Sequence, residues 1–211
     1  MINFCKKRLI KSFFLFIAAL SFPSALCAWG MEPADYEAFF AVHKKFEKVL
    51  NGDEKERYLA SHAAFMEYFA AEEENLAIFK DELVTRKKEK LYIYRDTINA
   101  ILKNRAAELE SLRKKDGAWL SQKTRSGLAR AFAAVNQRVP YDRGEKLRPP
   151  FRKVDRAWKK YVEAERAFYS LYFKNDQTAP ENCERILREL RTRDLLLEHK
   201  GVAAIKIEKE E

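Results

Sequence analysis

The chain has 211 residues, 47% of them apolar and 35% charged, with only six glycines and six prolines. Those proportions exclude a disordered chain, a collagen-like repeat and a disulfide-stapled mini-protein, and leave room for one large domain or two small ones. The formal net charge of +9 turns attention to anionic partners.

The chain opens with Lys6, Lys7, Arg8 and Lys11, followed by an uncharged apolar run from Ser12 to Phe22 and the small-residue stretch Ser24-Ala25-Leu26-Cys27-Ala28. This is the pattern of a secretory signal peptide, assigned here to residues 1–28; the mature chain is then exported, to the periplasm or cell envelope. The apolar run is short for an uncleaved membrane anchor. Cys27 raises a lipoprotein reading, but Leu26 stands where a lipobox wants a small residue. Without residues 1–28 the net charge is +5, unevenly split. Residues 29–122 hold 16 basic and 18 acidic side chains, and residues 123–211 hold 21 and 14. The basic half should prefer anionic envelope polymer or anionic lipid; export and the lack of any nucleic-acid motif set nucleic acid aside.

Pro33 suits a first helical turn, and Ala34 to Leu50 is an apolar-periodic run closed by Asn51-Gly52. Asp53 can cap a second helix reaching about Lys80. A third covers Glu82 to Lys115 and stops at Gly117. The second half repeats the plan: a helix from about Ser126 that ends before Pro140, and a long helix opened by Pro149-Pro150 and running to about Phe173. Lys174 to Ala179 forms a loop, and a last helix runs from Pro180 to near Gly201. The charged tail after Ile207 is expected to fray. No β-hairpin signal occurs.

The two halves are related in sequence. AAFMEYFAAEEE, from Ala63, and RAWKKYVEAERA, from Arg156, stand 93 residues apart, and the same slide pairs Phe39 with Phe132, Val42 with Val135, Tyr58 with Phe151, Tyr68 with Tyr161, Glu72 with Glu165 and Ile78 with Leu171. The expected fold class is therefore all-α, with two tandem three-helix units, 29–122 and 123–211, built on long amphipathic helices. In the second copy Phe151, Val154, Trp158, Tyr161, Glu165, Phe168 and Tyr172 alternate steps of three and four. The first copy places Tyr58, Ser61, Phe65, Tyr68, Glu72, Asn75 and Phe79 on the same rows. Such an aromatic stripe is core rather than a cofactor box.

Glu72 and Glu165 break the stripe. A buried carboxylate needs a cation or water, because desolvating it alone costs several kcal/mol. Aligning Ile98, Leu102, Arg105 and Leu109 with Ile186, Leu190, Arg193 and Leu197, at an offset of 88, offers a cation in each copy. The expected contacts are Glu72–Arg105 and Glu165–Arg193, register-setting ion pairs in preference to reactive carboxylates.

No catalytic constellation is visible, and no cofactor is expected. His43, His62 and His199 lack metal spacing, Cys183 has no motif-placed His partner, and there is no phosphate loop or nucleophile elbow. Cys183, the one cysteine left after cleavage, reads as an inert buried thiol or else a reactive or intermolecular one. The run Arg86-Lys87-Lys88 is a solvated face. The cluster Arg188, Arg191 and Arg193 is either another such face or an anion-binding patch.

These residues carry a family likeness. Leu128 and Phe132, Lys146-Leu147, the stretch RAWKKYVEAERAFYSLYF, a polar loop, Cys183, Leu187, Arg193 and Leu197 together resemble the LprI-type lysozyme-inhibitor domain of bacterial envelope proteins. Ala157, Trp158, Tyr161, Glu163 and Glu165 match that family's central signature, while Val162 stands for its Arg and Arg166 for its Cys. The resemblance implies a disulfide between the positions of Arg166 and Cys183, which cannot form here; Arg95 holds the corresponding place in the first copy. The likeness covers about 126–200 and, more faintly, 35–109, where Phe65, Tyr68, Glu72 and Arg105 carry it. It implies a non-enzymatic binding protein acting on lysozyme or another envelope protein. The alternative is a structural adaptor that holds anionic polymer or lipid through the basic half.

Overall fold

A computed structural model describes the backbone of residues 33–82, 87–121 and 144–209, and the side chains within 36–78, 97–121 and 148–195. The signal segment with Cys27, the expected helix from Ser126 and the side chains of Phe79, Arg95, Leu197 and His199 lie outside the described residues. Within them the fold is all-α. The helices are α1 (Pro33–Glu47), α2 (Gly52–Glu82), α3 (Lys87–Lys114), α4 (Gly144–Tyr172) and α5 (Ala179–Lys209), with no strand among the described residues.

Local chemistry sets the corners. The Asn51 carbonyl accepts the amides of Glu54 and Lys55 at 3.1 and 3.4 Å, and Gly52 sits at φ +48°, where a side chain is disfavoured. After α3, Lys115 (φ +56°) and Gly117 (φ +66°) reverse the chain. Ser111 Oγ then donates to Asp116 Oδ1 at 2.6 Å and accepts the Trp119 amide at 3.0 Å. This staple returns Trp119 to the core, where it is buried. Asp176 Oδ1 accepts both the amide and the hydroxyl of Thr178, at 2.9 and 2.7 Å, ahead of α5.

Two expected boundaries move. α4 begins at Gly144, so Pro149 and Pro150 lie inside it rather than opening it. Each proline's ring meets the carbonyl four residues back, and here those carbonyls belong to the first turn, which has slack at its open end. α5 runs on through Gly201 to Lys209. A helix-interior glycine costs only about 1 kcal/mol relative to alanine, too little to stop a helix with good formers on both sides.

α2 and α4 form the most extensive helix–helix interface, and α1 packs on α3 and α4 on α5. α2 and α4 run antiparallel, since Ser61 meets Glu165, Glu67 meets Lys160 and Glu74 meets Lys153. Glu67 and Lys160 are 93 apart, as are Tyr68 and Tyr161, whose rings stack at 5.9 Å and 3°. Each residue there faces its own repeat counterpart, so the two copies cross about a local two-fold axis. Every described seam residue is buried except the half-buried Tyr172, and the buried apolar side chains of both copies form one continuous core.

Candidate functional site

The seam carboxylates lie on either side of that axis, and both have buried cationic partners. The partners are not the expected ones. Arg105, from α3 of the first copy, reaches Glu165 of the second: Nη1 is 2.8 Å from Oε1. Arg191, from α5 of the second copy, reaches Glu72 of the first at 3.0 Å. The expected Glu72–Arg105 and Glu165–Arg193 pairs are therefore both wrong, in two ways. The copies exchange their arginines: each third helix packs on its own copy's long helix, and its arginine reaches across the α2–α4 seam to the other copy's carboxylate. The second cation is also Arg191, with Arg193 half-exposed and only 3.9 Å from Asp194. The correct offset between the third helices is 86, which aligns Arg105 and Glu108 with Arg191 and Asp194.

The first cluster is densely bonded. Arg105 Nη1 also donates to Glu108 Oε2 at 2.7 Å and to the Tyr161 hydroxyl at 3.3 Å, and Nη2 donates to Ser61 Oγ at 3.3 Å. Ser61 donates in turn to Glu165, and the Tyr169 hydroxyl donates to Glu108 at 2.8 Å. Burial pushes Glu108 up to about 7, against the pull of Arg105. The second cluster is sparser. Arg191 lies 5.7 Å from the Tyr68 ring centroid, as Arg105 lies 5.5 Å from that of Tyr161. Glu72 Oε2, Arg191 Nη2 and Asp194 Oδ1 are buried without a hydrogen-bond partner. Burial, opposed by Arg191, also pushes Asp194 up to about 7.

A cavity of about 40 Å³ opens between the two arginines, with Trp119, Trp158, Tyr68 and Tyr161 in its wall. That volume holds a few water molecules at most. Glu108, Glu165 and Cys183 converge closely enough to resemble a metal site. The Arg105 guanidinium already binds both carboxylates, so the protein's own cation fills the position. Cys183 is fully buried, with Sγ 4.0 Å from Glu108 Oε1, and burial holds its thiol well above the ordinary range. That environment suits an inert thiol. His43 and His62 stack at 3.8 Å, and His43 Nδ1 lies 2.5 Å from the Tyr58 hydroxyl. Burial lowers both imidazoles, His62 to about 2, so they are neutral core groups.

The remaining predicted residues divide. Phe65, Tyr68, Ala157, Trp158 and Tyr161 are buried seam and flank positions, and Glu163 is exposed. Arg166 pairs with Glu184 at 2.9 Å, next to Cys183 in sequence. The α5 cluster Arg188, Arg191 and Arg193 is split between core and surface, with Arg193 exposed. Arg191 is in the core, and Arg188 binds Glu184 at 2.5 and 2.8 Å. Among the described residues, α4 also carries exposed cations, Arg152 and Arg156. Arg148, Arg152 and Arg156, with Pro149, line a surface hollow of about 440 Å³. Their i, i+4, i+8 spacing was legible but hidden behind the proline pair, which drew attention as a helix start. Glu108 and Asp194 were also missed; the repeated Arg-x-x-acid pattern at offset 86 is their signal.

No family model, curated protein or solved structure matches the chain. The LprI likeness thus rests on the motif residues alone. No helix among the described residues is long and apolar enough to cross a membrane.

Proposed function

We propose that this chain is an exported, non-enzymatic binding protein of the cell envelope whose basic second half holds an anionic polymer. One observation carries the choice of ligand. On α4 the lysines whose side chains are described are neutralised, Lys153 by Glu74, Lys159 by Asp155 and Lys160 by Glu67. The exposed Arg152 and Arg156 have no carboxylate partner among the described residues, so their charge is available to an anionic ligand. The strongly perturbed acids support a non-enzymatic reading, because they are locked in buried clusters that join helices rather than lining an open cleft. The test is binding of the purified protein to a labelled polyanion at low and moderate salt. Tight binding that weakens steeply with salt is expected. Absence of binding at low salt, in protein that is folded and helical, overturns the reading.

The second reading is lysozyme inhibition, as the family likeness implies. It is favoured by Val49 and Leu59, large apolar side chains exposed near the α1–α2 corner of the less basic copy. Titration against lysozyme turnover on peptidoglycan decides it. Saturation near one-to-one, abolished by Leu59→Asp, supports inhibition, and unchanged turnover removes it.

A further inference from the structure

The cavity between the two arginines is walled by side chains whose donors are not all spent. Arg105 and Arg191 are each held by a glutamate of the opposite copy. Each still keeps a buried N–H without a hydrogen-bond partner, Nε of Arg105 and Nη2 of Arg191. Trp119, in the same wall, keeps another at its indole nitrogen. A buried donor left unmade is costly, so three such residues around one small space call for an acceptor inside it.

Trp119 is carried there by a built turn. The chain leaves α3 through Lys115 and Gly117, both at positive φ, and Ser111 Oγ accepts the Trp119 amide at 3.0 Å. Packing alone would be served by a ring without an N–H. Among the lining residues only Asn104 of α3 and Leu190 of α5 are partly exposed, so the way in from solvent lies between those helices.

Size, shape and charge narrow the occupant. The volume of about 40 Å³ admits a few heavy atoms. The rings of Tyr68, Tyr161, Trp119 and Trp158 give it flat walls, which suit a planar group. Unspent N–H groups of two guanidiniums and an indole suit an acceptor with negative charge. A divalent tetrahedral ion would lose far more hydration on entering than a flat monovalent one. Of the charged groups here, Arg105 and Glu108 of α3 and Arg191 and Asp194 of α5 line the cavity. Glu165 of α4 pairs with Arg105, Glu72 of α2 with Arg191, and Arg193 lies 3.9 Å from Asp194. The two glutamates of the seam balance the two arginines, and burial pushes Glu108 and Asp194 up to about 7. Below that pH both are neutral, so no surplus negative charge repels an anion.

We propose that this cavity binds a small planar monovalent oxyanion, of the size of nitrate or formate, through the unspent N–H groups of Arg105, Arg191 and Trp119. The site is independent of the polymer reading above, which concerns the outer face of α4. The test titrates the isotope-labelled chain with nitrate, formate and sulfate at constant ionic strength, following the indole N–H resonances of Trp119 and Trp158. The variant is Trp119→Phe, which keeps a ring and removes the donor; circular dichroism checks that it folds.

Nitrate and formate should move the Trp119 resonance saturably, and sulfate should not. Trp119→Phe should weaken nitrate binding, read at Trp158, by about tenfold, the effect of one hydrogen bond to a charged group. Raising the pH from about 6 to about 8.5 should weaken it by about fivefold or more in the wild-type chain. A Trp119 resonance that neither nitrate nor formate moves means that the cavity holds water alone and overturns the site, whether or not the variant folds. Sulfate bound as tightly as nitrate, or full affinity in Trp119→Phe, also overturns it. Equal affinity at the two pH values overturns the part given to Glu108 and Asp194.

Discussion

The two arginine clusters occupy equivalent places about one local axis, yet differ in how well they are satisfied. Around Arg105 nearly every partner is itself bonded: Ser61 serves Glu165, and Tyr169 serves Glu108. The repeat counterparts of those donors are Val154 and Leu76, which have none to give. Glu72 Oε2, Arg191 Nη2 and Asp194 Oδ1 have no hydrogen-bond partner, and in the better-bonded first cluster Arg105 Nε and Glu165 Oε1 have none either. A repeat can thus keep its charged skeleton while losing the hydroxyls that support it. The skeleton is retained because each arginine ties one copy's third helix to the other copy's long helix. Losing the hydroxyls costs hydrogen bonds but not connectivity.

The two clusters differ most in what their cations hold. Arg105→Leu strands two buried carboxylates and should cost about 5 kcal/mol, while Arg191→Leu should cost about 3 kcal/mol. Urea unfolding of both variants checks this, and a larger loss at Arg191 would reverse the ranking. The exchange of partners is sharpened by double-mutant cycles. Arg105 with Glu165 should show about 1–3 kcal/mol of coupling and Arg105 with Glu72 almost none. The hydroxyl difference is tested by Ser61→Val, which makes the first cluster resemble the second and should cost about 1–2 kcal/mol.

The smallest effects are those of pH. Glu108 and Asp194 ionise near 7 in the folded chain, well above an ordinary carboxyl. As pH rises from about 4 the unfolded chain releases these protons first, so their contribution is complete in acid and is lost as pH passes about 7. Glu108→Gln and Asp194→Asn should each gain stability relative to wild type between pH 5 and pH 8 in urea titrations. The histidines act with the opposite sign. His62 is held down to about 2 and His43 is lowered too, so their contribution is present above about pH 6.5 and fades in acid. His62→Phe should gain relative to wild type as pH falls from 7 to 4. Parallel pH profiles for these variants and wild type would mean that the groups do not titrate as their burial implies.

Helical class, the antiphase of long helices and loops, and the seam from Tyr58 to Asn75 and from Phe151 to Phe168 were legible from periodicity and the 93-residue slide. So was the need for cations opposite Glu72 and Glu165, because burying a lone carboxylate is too costly to leave uncompensated. Which cation serves which carboxylate was not legible. Intervals along one chain say nothing about how closely two copies pack, and the tight α2–α4 interface is what lets Arg105 and Arg191 each reach the other copy's carboxylate. The connection before the third helix is also seven residues shorter in the second copy, as the offsets 93 and 86 show. An alignment that was two residues off therefore chose Arg193, and it sent Arg191 to the surface when it belongs in the core.

Which faces of these helices must be dry is written in the order of residues, since apolar spacing at three and four has one favourable solution in water. How the charges are used follows from packing. Whether a basic side chain neutralises a neighbour or remains free depends on which acids lie within about 4 Å of it, a property of packing rather than of order along the chain. That is why Arg188 and Arg191 of α5 proved to be paired with acids, while Arg152 and Arg156 of α4 are exposed with no carboxylate partner among the described residues.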